Sequence, residues 1–440
     1  MNVQLLRVVR LVIRADSDPA GQALFATLVQ ARWPVRLAFR AHERIAGSWA
    51  SALLISCYGF AAFLRVARPR RRNARLLLVA SHVNARQHVT RIAGWIGPAE
   101  CAWVRTGPAA LFTRSVFSAA ALLLSPRRVM EALRIIRWID SRHGFLVSCR
   151  AAGAVAWYAR SKAILDAHRP AAIVVSSDSH PEEMGFALAA RTLGVPQIFV
   201  AHAYPTAISP PLDFSLSILE GEAALEARRR KGPIKGAVVL AGVEGDSQSM
   251  EASRLLRPNP VIGIFPPKAI SWQTMAAIIE ECRRHYKARH IVIRWHPKML
   301  EPPQLTRLLG DVGDIVETPR GGTVQDAARQ CDWVVGDENS NVHLPVMKMG
   351  IPTIAVRHLG VYSESRSDQY GFVASGVVYP PVDAIREIDP QAVIAFYTTC
   401  WAARFARHDA AYFRSSAAVG ADVQAAVRAL IASAPRVRGH

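Results

Sequence analysis

The chain has 440 residues, of which 51% are hydrophobic, and its formal net charge is +20. This length exceeds one ordinary domain and suggests two or three, each able to bury its own core. The 6 cysteines lie far apart with no C-x-x-C spacing, which argues against a disulfide framework or a zinc cluster and favours a reducing cytoplasm. The charge indicates an anionic partner, which is a nucleic acid, a membrane face or an acidic substrate.

Residues 1–74 form a basic and apolar N-terminal extension in our interpretation. Met1–Ile13 is interrupted by arginines and lacks the cleavage site of a secretory signal, so we read it as mature protein. Ile45–Leu64 contains no charged residue, and arginines flank it on both sides. Charges on both sides, and the glycines and serines within the run, favour a helix lying on a membrane surface over a spanning one.

A surface helix over Ile45–Leu64 would place its aromatic side chains at the headgroup boundary while the arginines meet anionic lipid. These aromatic residues are Trp49, Tyr58, Phe60 and Phe63. The alternative is a buried helical hairpin. The predicted location is therefore cytoplasmic and peripheral on the inner membrane face.

From residue 75 onward, short apolar strands alternate with helical stretches, which is typical of βαβ units and a mostly parallel sheet. We assign 75–235 to a first Rossmann-like domain and 236–259 to a linker. A second series over 260–388 forms a complete doubly wound domain, and 389–440 is predicted to be helical. The fold class is α/β.

Ile291–Lys298 joins an apolar strand to a basic His-Pro step. Pro297 suits a turn or the first position of a helix, whose N-terminus offers free N–H groups and positive dipole charge. With Arg294 and Lys298 beside it, this segment predicts an anionic ligand, and a simple surface turn is the alternative. Gly321 and Gly322 lie in a second strand-to-helix loop and allow close backbone approach to a base or phosphate.

Four segments, taken in order, resemble the GT-B transferases of bacterial surface (capsule-type) polysaccharide biosynthesis. They are Ala189–His202, Arg294–Pro297, Gly336–Ser340 and Met349–Pro352. The chain is similar to CMP-sugar-dependent sialyl- and Kdo-type transferases and to CDP-glycerol glycerophosphotransferases over roughly residues 75–360. The resemblance implies a GT-B fold, in which two Rossmann-like domains face each other across a cleft, with the donor on the second and the acceptor on the first.

The resemblance further implies a metal-independent glycosyltransferase. Its donor would be a nucleotide-activated, cytidine-type sugar or polyol-phosphate, and its acceptor a lipid-linked or growing surface polysaccharide at the cytoplasmic membrane face. No cofactor is expected. No metal is proposed, because the one Asp-x-Asp, Asp16–Asp18, lies in the N-terminal extension. No specific nucleic acid is expected, since the arginines lack interleaved aromatic residues. The alternatives are a GT-B-fold sugar-nucleotide epimerase and a non-catalytic scaffold.

The resemblance also assigns donor-binding residues. His296 would contact the donor phosphate, while Arg294 and Lys298 add positive charge. Ser340 and Asn341 stand where the family places a phosphate-holding serine at the start of a helix, which we predict over Ser340–Met349, and a bare helix cap is the alternative. Other predicted donor-binding residues are Pro297, Gly321, Gly322 and Thr323. One departure is His343, which lies in a run where the family commonly has an acidic residue.

A transferase needs a base for the acceptor hydroxyl, and three polar residues follow strands of the first domain. Asp178 and His180 come after one strand and His202 after the next, so all three should emerge at the carboxyl edge of the sheet. Carboxylate and imidazole groups are the standard acid and base parts. Asp178 is our first choice, and the alternatives are a helix cap for Asp178 and a buried polar group for either histidine.

Overall fold

The structure of the protein is a computed structural model, which describes residues 33–64, 74–81, 83–104, 126–178, 180–205, 209–267, 270–296, 313–318, 322–360 and 368–433. The chain divides into two compact units. Unit 1 comprises Met1–Leu219, Leu225–Val239 and Ala417–His440, and unit 2 comprises Glu220–Ala224 and Leu240–Ser416. The C-terminal part of the chain therefore belongs to the first unit.

The described helices are α1 (Trp33–Ile45), α2 (Trp49–Leu64), α3 (Val83–Ile96), α4 (Pro126–His168), α5 (Pro181–Thr192), α6 (Glu222–Arg229), α7 (Trp272–Arg284), α8 (Val324–Ala328), α9 (His343–Lys348), α10 (Pro390–Thr398), α11 (Trp401–His408) and α12 (Ser416–Ser433). The described strands are β1 (Leu76–Val79), β2 (Cys101–Trp103), β3 (Ala172–Val175), β4 (Gln197–Val200), β5 (Asp213–Leu219), β6 (Lys235–Leu240), β7 (Val261–Phe265), β8 (His290–Ile293), β9 (Ile315–Glu317), β10 (Trp333–Asp337) and β11 (Thr353–Val356). In this described part of the chain, none of the helices has the length and apolar character needed to cross a membrane.

Unit 1 contains a six-stranded sheet of order β2-β1-β3-β4-β5-β6. The pairs from β2 to β5 are parallel, with Leu76 of β1 opposite Ala172 of β3. Strands β1, β3 and β4 are buried at every position, which explains why β1 and β3 are uninterrupted apolar runs in the sequence. The strand order reverses between β1 and β3, and ligands of doubly wound sheets bind outside the carboxyl ends of strands at such a switch point.

Unit 2 contains a five-stranded sheet of order β11-β10-β7-β8-β9, parallel throughout. Its switch point lies between β7 and β10. Val261, Val292 and Val334 belong to the buried cluster beneath the helices of this unit. The segment 236–259, expected to be a linker, differs from that expectation because it holds most of β6 and a 3-10 turn over Ala252–Leu256.

Among the described residues, helix α2 is packed on one side by α4. Its buried Ala52 and Ile55 form a cluster with Ile136, Cys149 and Ala152 of α4. A Cβ atom at Gly59 would lie 3.0 Å from the Ala152 carbonyl oxygen, so glycine is what allows this close approach. The inner face of α2 thus fits the hairpin interpretation of Ile45–Leu64, whereas its outer face is exposed.

A buried carboxylate holds helices α1, α2 and α4 together. Asp140 of α4 accepts hydrogen bonds from the Gly47 backbone N–H at 2.8 Å and from the Ser51 hydroxyl at 2.6 Å. It also bonds to the His42 ring at 2.8 Å. Since Asp140, His42 and Ser51 are all buried, these bonds fix the turn between α1 and α2 against α4.

Candidate functional site

The carboxyl edge of the unit 2 sheet collects the predicted donor-binding residues that the structure describes. Arg294 and His296 follow β8, Gly322 and Thr323 precede α8, and Ser340 follows β10. In a parallel sheet, these positions all lie at the edge where doubly wound folds bind ligands. Pro297, Lys298 and Gly321 lie outside the described residues.

Arg294 is the main positive charge of this edge. Its Nη2 donates to the Gly322 carbonyl oxygen at 3.3 Å, so the ends of β8 and of the glycine loop are held together. Its Nε is buried and has no hydrogen-bond partner among the described residues, and no described acidic group pairs with its guanidinium. Burial lowers the pKa of Arg294. A desolvated guanidinium without a counter-charge favours an anionic ligand.

Neighbouring side chains in this region already have partners. The Thr323 hydroxyl accepts from the Asp326 N–H at 3.0 Å, and the Asp326 carboxylate accepts from the Thr323 N–H at 3.4 Å, which is a capping box on α8. The Trp295 ring N–H donates to the Glu317 carboxylate at 2.8 Å, and this bond fixes the position of the indole ring. The hydrogen-bonding groups of Thr323 are therefore occupied, whereas Arg294 keeps its Nε without a partner among the described residues.

Two buried carboxyl groups lie at the carboxyl end of β10, beside the switch point. Asp337 accepts from the Asn339 N–H at 3.0 Å and from the Gly360 N–H at 2.7 Å. Glu338 is only 4% exposed, and its Oε2 has no hydrogen-bond partner among the described residues. Burial raises the pKa of Asp337, and burial followed by the negative charge of Asp337 raises the pKa of Glu338. Glu338 is thus an acceptor left open at the sheet edge.

The segment after these carboxyl groups differs from the expected helix start. We predicted a helix from Ser340, yet α9 begins at His343, because Ser340 and its neighbours form a turn instead. The Ser340 N–H donates to the Asp337 carbonyl at 3.0 Å, and the Ser340 hydroxyl accepts from the Val342 N–H at 3.3 Å. Asn341 lies in the same turn.

His343 does not face an open site as a substitute for the family's acidic residue. It is fully buried, its Nε2 bonds to the Asp337 carbonyl oxygen at 2.9 Å, and a Cβ atom at Gly336 would lie 3.0 Å from its ring. Burial lowers its pKa to about 4. His343 is therefore a neutral packing residue behind β10.

The carboxyl edge of the unit 1 sheet is organised by Glu183, which our sequence analysis missed. This fully buried residue of α5 accepts from the Ser81 N–H at 2.9 Å and the Ser81 hydroxyl at 2.6 Å. Its other oxygen accepts from the N–H groups of Ser176 at 2.6 Å and Ser177 at 2.5 Å. One carboxylate thus joins the loops after β1 and β3 at the switch point.

Asp178 emerges at this edge, as expected, but it forms an ion pair with Arg228 of α6. The Arg228 guanidinium is 3% exposed, also donates to the Pro210 carbonyl at 3.1 Å, and lies 5.5 Å from the centre of the Phe199 ring. The carboxylate oxygen that meets this guanidinium is occupied and is not open to an acceptor hydroxyl. Asp178 is not the helix cap of α5, since His180 occupies that position.

His202 follows β4 and lies at the same sheet edge. Its Nδ1 bonds to the Ser176 carbonyl oxygen. Because a carbonyl oxygen only accepts, Nδ1 carries the proton, and the neutral ring keeps its lone pair on Nε2. A second histidine, His88 of α3, lies near His202, and burial above all lowers the pKa of His88 to about 3. His88 was not identified from the sequence.

No protein-family model matches the chain. No curated protein matches it either. Among solved structures, the calicheamicin glycosyltransferase CalG4 has a TM-score of 0.50 at 12% identity, covering 83% of this chain and 100% of its own. The UDP-N-acetylglucosamine 2-epimerase from Rickettsia bellii has a TM-score of 0.49 at 13% identity, with 83% and 98% covered. MnaA from S. aureus, solved with UDP, has a TM-score of 0.48 at 13% identity, with 83% and 99% covered.

The likeness to CalG4 concerns the fold alone. Together with the two parallel sheets, it decides the fold class. The chain has the GT-B fold. The predicted α/β class with two Rossmann-like sheets is confirmed, as are helices at both ends of the described chain.

Proposed function

We propose that this protein is a glycosyltransferase, which moves a sugar or polyol-phosphate unit from a cytidine-type nucleotide donor to a lipid-linked or growing surface polysaccharide at the cytoplasmic membrane face. The observation that carries the proposal is Arg294, a partly buried guanidinium with no acidic partner among the described residues. It lies at the carboxyl edge of a doubly wound sheet in a GT-B chain, where a nucleotide donor would present its phosphate.

Basic side chains and one acidic side chain would hold different parts of the donor. Arg294 and His296 would contact the phosphate and stabilise the negative charge that grows on it as the bond to the sugar breaks. Glu338, with its Oε2 unpartnered among the described residues, would accept hydrogen bonds from donor hydroxyl groups. This assignment gives the chain a carboxyl group for hydroxyl recognition, although His343 takes the place of the family's acidic residue.

We assign the acceptor base to His202, in preference to Asp178. Its Nε2 would take the proton of the acceptor hydroxyl, whose oxygen forms the new bond to the donor carbon of a sugar or to the donor phosphorus of a polyol-phosphate. The bond from that donor atom to the leaving oxygen breaks at the same step, and its electron pair stays on the leaving phosphate. The Ser176 carbonyl holds the ring in the tautomer that this role needs.

A thermal-shift panel tests the donor site with CMP, CDP, UDP and GDP. Wild type, Arg294→Gln, His296→Ala and His290→Ala would be compared. The control is matched because His290 starts the strand that Arg294 and His296 follow, and it is exposed at the opposite end. A ligand present at about 100 times its Kd stabilises the folded state by about 2.7 kcal/mol.

We expect one nucleotide to raise the melting temperature of wild type and of His290→Ala and to leave both site variants unchanged. The absence of any shift in wild type would contradict the donor site. An epimerase is distinguished by product analysis, since it converts the donor sugar without an acceptor, whereas a transferase transfers it only when an acceptor is present.

A further inference from the structure

The outer face of α2 is apolar and exposed. Four of its large side chains lie on one side of the helix, with exposed fractions of 44%, 59%, 37% and 50%: Trp49, Leu53, Leu54 and Tyr58. No charged residue occurs anywhere in this 16-residue helix. A helix on the surface of a protein normally places charged residues on its outer face, so an apolar face of this kind marks an interaction site.

Other large apolar side chains are exposed on the helices that adjoin α2. Leu37 of α1 is 58% exposed, and Met130 and Trp138 of α4 are 44% and 48% exposed. We call the four side chains of α2 the apolar face. The side chains of Phe60 and Phe63, which we expected to join it, lie outside the described part of the structure.

The helices that adjoin α2 carry exposed arginines, and one of these contacts the tryptophan of the apolar face. The Arg137 guanidinium lies 4.9 Å from the centre of the Trp49 ring, and that of Arg142 lies 4.5 Å from the Trp138 ring. Other exposed arginines on these helices are Arg40, Arg44 and Arg134. Among the described side chains of residues 37–64 and 130–145, Glu43 is the one exposed acidic group. The rim of the apolar face is therefore strongly positive.

We propose that the apolar face binds an anionic phospholipid bilayer, with α2 lying in the plane of the interface. The tryptophan and leucine side chains would enter the headgroup boundary, and the surrounding arginines would pair with lipid phosphates. The inner face of α2 is occupied by α4, so only the outer face meets lipid. A second copy of the chain is a poorer occupant, because it would bring two arginine rims of like charge together.

Vesicle flotation with the full chain tests this proposal. Vesicles of phosphatidylcholine with phosphatidylglycerol would be compared with vesicles of phosphatidylcholine alone, for wild type, Leu53→Glu and Leu256→Glu. The control is matched, because Leu256 is an exposed leucine of unit 2, at 51% against 59% for Leu53, and it receives the same substitution. An independent variant, Tyr58→Glu, changes another point of the apolar face.

We expect wild type and Leu256→Glu to float with the anionic vesicles, and Leu53→Glu and Tyr58→Glu to bind them roughly tenfold more weakly, because a charge replaces an apolar contact. Added salt should weaken wild-type binding. Equal binding of all four proteins would overturn the proposal. So would a wild-type dimer that Leu53→Glu dissociates with no vesicle binding, which would assign the face to a second copy.

The proposal does not depend on the proposed function. Nucleotide-induced thermal shifts of Leu53→Glu should equal those of wild type, which also shows that this variant is folded. If Leu53→Glu loses vesicle binding but keeps the nucleotide-induced thermal shift, the substitution has affected the membrane-binding surface and not the donor site. Absent nucleotide shifts in every variant, with normal flotation, would contradict the donor site and leave the membrane surface in place.

Discussion

A buried ion pair in unit 2 supports a quantitative prediction. The Lys348 ammonium group of α9 lies 2.8 Å from the Asp409 carboxylate and donates to the Val243 carbonyl oxygen at 2.7 Å. Asp409 also accepts from the N–H groups of Val243 and Ala411, both at 3.0 Å. Lys348 is 1% and Asp409 is 0% exposed, so neither charge has water as an alternative partner.

The substitution Lys348→Met removes the cation and leaves the carboxylate buried. Breaking one side of such a pair costs about 3–5 kcal/mol, because the remaining charge stays desolvated. The Asp409 carboxylate would keep its two backbone donors, which places the expected loss toward the lower value, about 3 kcal/mol. In the double variant Lys348→Met with Asp409→Asn, the charge is gone and one oxygen still accepts, so we expect a smaller loss than in Lys348→Met alone.

Urea unfolding followed by circular dichroism measures these losses through the midpoint and slope of the transition. The control is Lys162→Met, since Lys162 forms a 2.9 Å pair with Asp166 in which both side chains are well exposed. Exposed helical pairs of this spacing contribute about 0.3–0.5 kcal/mol. If Lys348→Met lost no more stability than Lys162→Met, the argument from burial would be wrong.

Three further predictions concern carboxyl and imidazole groups. Glu338→Gln should raise the stability of the folded state at neutral pH, because the raised pKa of Glu338 makes its ionised form unfavourable there. In thermal melts, this gain over wild type should disappear as pH falls below 4.5, the ordinary pKa of the group. The thermal shift caused by the nucleotide should become smaller in this variant. Glu183→Gln should cost about 2–3 kcal/mol in urea unfolding, because its new NH₂ group meets donors where a carboxylate accepted. The pKa of His343 is lowered to about 4, so its contribution to stability is complete above pH 6.5 and is lost as pH falls toward 4. In His343→Gln, the melting temperature should therefore depend less on pH over this interval than in wild type. An equal dependence in both proteins would contradict the assignment of His343 as a buried neutral residue.

The strands of unit 2 could be predicted almost residue by residue. β7 and β11 are buried along their whole length, and parallel strands covered on both faces appear in the sequence as short apolar runs between turns. The alternation of these runs with helical stretches also predicts the doubly wound order. The α/β fold class could therefore be predicted from length, composition and local sequence pattern.

Other features depend on contacts between distant residues, which no local pattern contains. Glu183 looks like an ordinary first-turn acidic residue of α5, and only the fold brings Ser81 to its carboxylate. Asp178 looked like a base because Arg228 is fifty positions away in the chain. The start of α9 was misplaced for a similar reason, since Gln369 donates to the Asn339 side chain at 2.8 Å and helps to hold the preceding turn.

The two switch points differ in a way that supports their different proposed roles. In unit 1, both oxygens of Glu183 are occupied by donors from the loops after β1 and β3, so the backbone N–H groups that could have held a phosphate already hold a carboxylate. In unit 2, Asp337 fills part of the corresponding position, but Glu338 keeps one oxygen unpartnered among the described residues and Arg294 has no described acidic partner. A ligand with both phosphate and hydroxyl groups would satisfy both of these unit 2 side chains. This difference is why we assign the nucleotide donor to unit 2 and the acceptor to unit 1, which contains His202.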